Sequence, residues 1–261
     1  MQDAESHTYP FGAVPRRLND FFLREERPIV GRGEELDQVR RDLLAGHSPV
    51  LLSGIGGIGK TTIARKYVEL HWADYQHVAW LTVASPQSIG HDPFQAAAEQ
   101  GYSPLRDAFL RSPALWQSLG LGDQVRQLLD GKDLAAAFSL LCQRMGQLQR
   151  CLVVLDNAND ATDLLENRPA LKALNAHVLV SSRAKPKGLN IVAVDELPLP
   201  QAVELFRGHY RHPSLASAHA AELEALAETL LRHTLLLELV GKSASPEGAN
   251  LPLPQLMQSL Q

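Results

Sequence analysis

Residues 54–62 constrain this chain more than any other stretch. Gly54-Ile-Gly-Gly-Ile-Gly-Lys60-Thr61 fits the spacing GxxxxGK[ST], and Thr62 follows it. Glycines let a backbone wrap tightly and point successive N–H groups at one centre, which suits a polyphosphate. A helix starting at the lysine adds the free donors and dipole of its first turn. The flanks meet that demand. An apolar run (PVLLS, 49–53) precedes the loop, and an amphipathic stretch from about 60 to 72 follows it. In this geometry Gly54, Gly56, Gly57, Ile58 and Gly59 line the loop. Lys60 reaches the β- and γ-phosphates, the Thr61 hydroxyl ligates Mg²⁺, and Thr62 donates to the α-phosphate. Ile63, Ala64, Tyr67 and Val68 read as the buried face of the helix.

A strand–loop–helix unit of this kind needs a sheet around it. Further apolar runs occur at 77–83, 151–156, 177–181 and 191–194. They are continuous rather than alternating, as strands buried on both faces are. Helical patterns lie between them, so the expected fold is α/β, a five-stranded parallel sheet flanked by helices. One helix is expected over 33–44, with Leu36, Val39, Leu43 and Leu44 at helical spacing. An insert over 84–150, rich in Leu, Ala and Gln, reads as mostly helical, interrupted at Pro93, Pro104, Pro113 and 120–122. From Pro200 onward only helical patterns occur, at 201–209, 218–231, 235–241 and 254–260. The expected organisation is therefore a lead-in segment over 1–28, with one short helix near 18–24, a nucleotide-binding domain over 29–197 and a small helical subdomain over 198–261.

Leu152-Val-Val-Leu-Asp156-Asn157 places a carboxylate at the C-terminal end of a strand, where ligands bind in open α/β sheets. After a phosphate loop, Asp156 is the expected second Mg²⁺ residue, acting mostly through water. Asn157 stands where an acid would activate water. An amide orients water but does not accept its proton, so hydrolysis is expected to be slow or nil.

Composition narrows the alternatives. The formal charge is −4 over 261 residues, which gives no broad basic field and argues against nucleic acid as the main partner. Two cysteines, Cys142 and Cys151, make no disulfide framework and read as small buried hydrophobes. The polar N-terminus has no signal-like apolar core, and no stretch nears about 18 apolar residues. No membrane partner is expected, and the cytoplasm is the expected compartment. His209 and His212 lack the further ligands a metal site needs. Trp72, Trp80 and Trp116 read as packing residues.

The ordered motifs resemble the NB-ARC branch of the signal-transduction ATPases with numerous domains, over about residues 28–245. Ile29-Val30-Gly31-Arg32, followed by Glu34-Glu35-Leu36, is similar to the segment whose backbone contacts adenine in that family. The phosphate loop and LVVLDNA are close to the family forms. Val178-Leu-Val-Ser-Ser-Arg183 resembles the strand whose terminal arginine senses the γ-phosphate. The 195–206 segment, containing Pro200, resembles the lead into the family's helical subdomain. His233-Thr234-Leu-Leu-Leu-Glu-Leu239 sits where the family has its GLPLAL motif, with Thr234 in place of the usual proline and without the preceding glycine.

The resemblance implies ATP or ADP with Mg²⁺ as cofactors. Val30, Gly31, Arg32, Pro200 and Thr234 join the loop as nucleotide-binding residues, and Lys60, Asp156, Asn157 and Arg183 are the residues nearest the chemistry. The family's winged-helix domain would follow residue 261, so the chain reads as a nucleotide-binding core, excised from something longer or naturally short. The implied function is a switch that is closed with ADP, self-associates with ATP, and works with effector or sensor domains in the same or another chain. An adaptor without turnover and a nucleic-acid-stimulated ATPase are the alternatives.

Overall fold

The computed structural model describes residues 16–21, 29–83 and 102–260. Six parallel strands form one sheet: β1 (Arg16–Arg17), β2 (Val50–Ser53), β3 (His77–Thr82), β4 (Cys151–Asp156), β5 (His177–Ser182) and β6 (Asn190–Ala193), in the spatial order β1-β3-β4-β5-β2-β6. The phosphate-loop strand β2 lies between β5 and β6, and β4 lies between β3 and β5. The C-terminal ends of β2, β4 and β5 are thereby neighbours, although the loop and Asp156 are far apart in sequence.

The apolar runs are continuous because both faces of the sheet are covered. Along β4, Cys151, Val153 and Leu155 join the core on one face, and Leu152 and Val154 join the core on the other. The second face is covered by α1 (Gly33–Leu44) and α2 (Lys60–His71), through Val39, Leu43, Ile63, Tyr67 and Val68. The first is covered by α3 (Pro104–Leu110), α4 (Pro113–Ser118), α5 (Gly122–Asp130), α6 (Leu134–Met145) and α7 (Ala161–Ala173). Pro104 and Pro113 open their helices, where a missing N–H costs nothing. Gly120 ends α4 at φ +73°. Pro93 and the rest of 84–101 lie outside the described residues.

The insert is tied down by polar contacts as well as apolar ones. Buried Asp163 on α7 accepts from Ser103 Oγ (2.5 Å), Leu105 N (2.8 Å) and Asn167 Nδ2 (2.8 Å). Both cysteines are buried, and burial pushes each thiol up to about 12, which keeps it protonated and inert. Trp72, Trp80 and Trp116 are packing residues, each under 9% exposed.

After Leu197 the chain builds a third apolar cluster. It draws on α8 (Leu199–His209), α9 (Ala220–Thr229), α10 (Thr234–Ala244) and α11 (Leu253–Ser259), around Phe206, Tyr210, Leu223, Leu226, Leu237 and Leu256.

Two expectations are corrected at the N-terminus. The sheet has six strands rather than five, because Arg16–Arg17 adds an edge strand to β3. Residues 18–21, expected to be helical, are not; residues 22–24 of that stretch lie outside the described ones. Asn19 explains the difference. Its side chain accepts from Trp80 N (2.9 Å) and donates to Trp80 O (2.5 Å), which prolongs the pairing beyond β1. Leu18 and Phe21 are buried beside it. An Asn that satisfies another strand's backbone favours extended over helical chain. Asn19→Ala leaves both Trp80 backbone groups unpaired and is expected to lower stability by about 1–3 kcal/mol. Urea denaturation checks this, with the exposed Asp20→Ala as the control expected to change little.

Candidate functional site

The site begins where β2 runs out. Gly54 follows Ser53 so closely beneath β6 that a Cβ there would lie 2.2 Å from the Val194 carbonyl oxygen. Gly57 and Gly59 have φ of +74° and +108°, the left-handed region that side chains resist. Ile58 is the one large residue in the turn that points inward, and it is fully buried. Gly59 precedes α2, and no side chain caps that helix. Its first-turn donors are therefore open, as an anion site requires.

Lys60 curls back over the loop, and its Nζ donates to the carbonyls of Gly54 (2.8 Å) and Ile55 (2.7 Å). Burial and the charge of Arg183 lower its pKa, with Asp156 opposing. Two cations thus face one cleft. Thr61 donates to Asp156 Oδ1 at 2.8 Å, and Ser181 on β5 donates to the same oxygen at 2.5 Å. Asp156 is 8% exposed. A hydroxyl and a carboxylate side by side, next to a run of open amide donors, form the hard oxygen set that Mg²⁺ prefers.

Asn157 adopts φ +69°, and both ends of its amide are engaged. Nδ2 donates to Val83 O (3.2 Å), and Oδ1 accepts from Asn159 Nδ2 (2.6 Å). Asn157 N donates to Ser181 Oγ (2.8 Å), and Arg183 N donates to Asn159 Oδ1 (2.8 Å). The Arg183 guanidinium sits over the loop, its Cζ 3.7 Å from where a Cβ on Gly56 would stand. Thr62 is exposed in the first turn of α2. With Gly56, Gly59, Lys60, Thr61, Asn157 and Arg183, it lines a cavity of about 260 Å³ closed on its far side by Thr234, Leu235 and Glu238. Glu238 is paired with Lys242, one turn on.

The outer side of the loop is held by residues from both sides of it in sequence. Arg32, only 4% exposed, donates from Nη2 to the Ile58 carbonyl (2.9 Å) and pairs through Nη1 with Glu35 (2.7 Å). Thr234 Oγ1 donates to the same carbonyl (3.0 Å) and lies 3.3 Å from Arg32 Nη2. Leu235 N donates to Gly57 O (3.1 Å), and His233 Nε2 lies 2.8 Å from Gly56 O. Three successive loop carbonyls are bound by three successive residues at the start of α10.

The residues outside the loop that the resemblance implies bind nucleotide divide. Gly31 (φ +66°) packs on Gln201, whose Cγ would lie 2.6 Å from an added Cβ. Gly31 and Arg32 line a second cavity of about 710 Å³ between α1, β6 and the start of α8. Val30 is half-buried just before them, and Pro200 is exposed and lines neither this cavity nor that of the phosphate loop. Ser181, Asn159 and His233 are the polar site residues to which the sequence reading gave no role. Ser181 was within reach of it: β5 pairs with β4, so a serine at that strand's end falls beside Asp156.

Residues 28–181 match a family described as the AAA ATPase domain, a match spanning more than half of the chain. The chain belongs to this family. It is a nucleotide-binding, AAA-type ATPase domain with a P-loop NTPase fold, and members of the family generally bind ATP or ADP with Mg²⁺. Among solved structures, that of C. elegans PCH-2 is similar at 13% identity and a TM-score of 0.43, covering 87% of this chain and 68% of that one. No curated protein matches. Among the described residues of this AAA domain, no helix is long and apolar enough to cross a membrane, and no group of three or more His, Cys, Asp or Glu is placed to hold a metal.

The loop glycines differ in what surrounds them, and that separates their substitutions. A Cβ on Gly57 would meet Leu235 Cδ2 at 2.8 Å and His233 Cε1 at 2.9 Å, on top of a left-handed backbone. On Gly56 the nearest atom would be 3.7 Å away. Gly57→Ala is expected to cost about 1–3 kcal/mol, whereas Gly56→Ala stays within about 1 kcal/mol of wild type. Thermal unfolding of the two variants side by side checks the contrast.

Proposed function

We propose that this chain is the nucleotide-binding core of an NLR-like, NB-ARC-type molecular switch, with slow or no hydrolysis of ATP. The observation that carries the reading is the grip of α10 on the phosphate loop. A loop held by Thr234, Leu235 N and His233 adjusts to a ligand only if those contacts adjust too. Nucleotide state and helix position are then linked, and a ligand that favours one loop arrangement shifts the other.

In this reading the nucleotide-binding domain spans 29–197 and the helical subdomain 198–261, after a lead-in over 1–28. Gly54, Gly56, Gly57, Ile58 and Gly59 present backbone donors, Lys60 and Arg183 supply positive charge at the end of the polyphosphate, and Thr62 adds a hydroxyl. Thr61 and Asp156 hold Mg²⁺, which when bound neutralises phosphate charge. Ser181 orients the Asp156 carboxylate. Val30, Gly31 and Arg32 form the base side of the site together with Thr234, with Pro200 at its margin. Arg183 is the γ-phosphate sensor, standing between the loop and the end of β5. Release of the grip in the ATP state frees the helical subdomain to move and allows self-association. Effector or sensor domains then read that movement in the cytoplasm.

Asn157 accounts for the slow turnover. Its amide is tied between Val83 and Asn159 and has no basic oxygen for a water proton. Asn157→Asp keeps the size and tolerates the left-handed backbone. Steady-state phosphate release is expected to rise about tenfold or more; an unchanged rate would remove Asn157 from the explanation.

The central test is nucleotide content. The protein is purified without added nucleotide and denatured, and the released ligand is identified by chromatography. About one ADP per chain is expected in the wild type and none in Lys60→Ala, by loss of a charge-assisted contact. An empty wild-type protein that also fails to bind ATP with Mg²⁺ counts against the switch. Retained nucleotide with no turnover even in Asn157→Asp supports an adaptor instead, and hydrolysis accelerated by nucleic acid supports a motor.

A further inference from the structure

A third and larger cavity lies at the other end of the sheet, where β5, β2 and β6 begin. It measures about 830 Å³, against about 260 Å³ at the phosphate loop. Its walls are the α1–β2 turn (46–49), the second half of α7 and the β5–β6 crossover. Among the described residues its lining carries no Asp or Glu, but it carries Arg168, Lys172 and two histidines, His47 and His177.

Arg168 is the informative member. Its Nε is buried and has no hydrogen-bond partner among the described residues, and no carboxylate there pairs with the guanidinium. The side chain stands against the crossover, with Nη1 3.6 Å from where a Cβ on Gly188 would be. A buried guanidinium N–H that gives up water without a protein acceptor is costly, and native structures seldom keep one without a ligand or ion to answer it.

The neighbours supply further donors. His177 Nδ1 lies 2.9 Å from Tyr75 OH, which itself lies 3.0 Å from Tyr67 OH. With Tyr75 donating, the imidazole proton sits on Nε2, the ring's other polar edge. Burial and the charge of Arg40 lower the His177 pKa, so the ring is a neutral donor rather than a third cation. Asn175 and the exposed Lys172 complete the α7 side. Two opposing charges are accounted for. Asp42 is held by Gln38 Nε2 (2.9 Å) and faces His47 (3.6 Å). The carbonyls ending α7 carry the negative end of the helix dipole, and Lys172 lies in that same turn.

We propose that this cavity is an oxyanion site that takes a phosphate group, free or carried on a small molecule, with Arg168 as its principal ligand and Lys172, His177 and Asn175 around it. A guanidinium fork binds such a group through two parallel hydrogen bonds. The cavity's size leaves room for an organic remainder beside the phosphate. The site is separate from the phosphate loop and does not rest on the switch reading.

The test titrates inorganic phosphate, and separately glycerol phosphate, into the full chain by calorimetry, with Lys60→Ala, Arg168→Gln and Lys172→Gln in parallel. Binding is expected to persist in Lys60→Ala, where the phosphate loop is disabled. On that background Arg168→Gln is expected to weaken it about tenfold or more. Lys172→Gln, at an exposed position that leaves the fold intact, is expected to weaken it severalfold. Whichever anion binds more tightly identifies the free ion or the ester as the ligand. Absence of binding by both anions in Lys60→Ala overturns the proposal, as does binding there that both cavity substitutions leave unchanged.

Discussion

A loop that turns its amide groups toward one centre must turn its carbonyls away from it, and those carbonyls need partners of their own. That requirement organises much of this molecule. The carbonyls of Gly54 and Ile55 are met by Lys60, from inside the loop. Those of Gly56, Gly57 and Ile58 are met from outside by His233, Leu235 N, Thr234 and Arg32. The phosphate cradle is therefore shaped from both sides, and most of its outer support comes from the start of α10. Arg32 could be buried only because Glu35 and the Ile58 carbonyl both receive it.

On the inner side a second polar chain runs across the strand ends. Thr61 and Ser181 share one oxygen of Asp156, Ser181 Oγ receives the Asn157 amide, Asn157 is held by Asn159, and Asn159 receives the backbone of Arg183. All but the Asn157–Asn159 link join separate elements: the start of α2 to the end of β4, and the β4 end and its loop to the end of β5. A change in how Asp156 is engaged thus passes through short, direct contacts to the backbone that carries Arg183. Parallel pairing of β4 with β5 makes this possible, because it sets the ends of the two strands side by side.

Most of the fold was legible in the sequence because its signals were local. Continuous apolar runs marked strands β2 to β6, and glycine spacing marked the phosphate loop. What escaped was decided between distant segments. The stretch 18–24 read as a short helix, yet within it Asn19 finds better partners on Trp80 and keeps residues 18–21 extended. No local pattern announces that exchange. His233 carried no recognisable chemistry in sequence, since its partner is a backbone carbonyl with no residue-type signature. The resemblance implied both Thr234 and Pro200 as nucleotide-binding residues; in the structure Thr234 donates to the Ile58 carbonyl of the loop, and Pro200 is exposed at the start of α8.

The crowding around Gly57 has a consequence for how this sequence can vary. The space its missing side chain would occupy is filled by Leu235 and His233. A larger residue at 57 would also meet the Cβ of residue 235 and the His233 ring, so a smaller side chain at 235 does not by itself make room; the start of α10 has to retreat as a whole. Position 57 and the first turn of α10, distant in the chain, are therefore constrained together. The glycine that looks like a demand of phosphate chemistry is also a demand of the helix behind it.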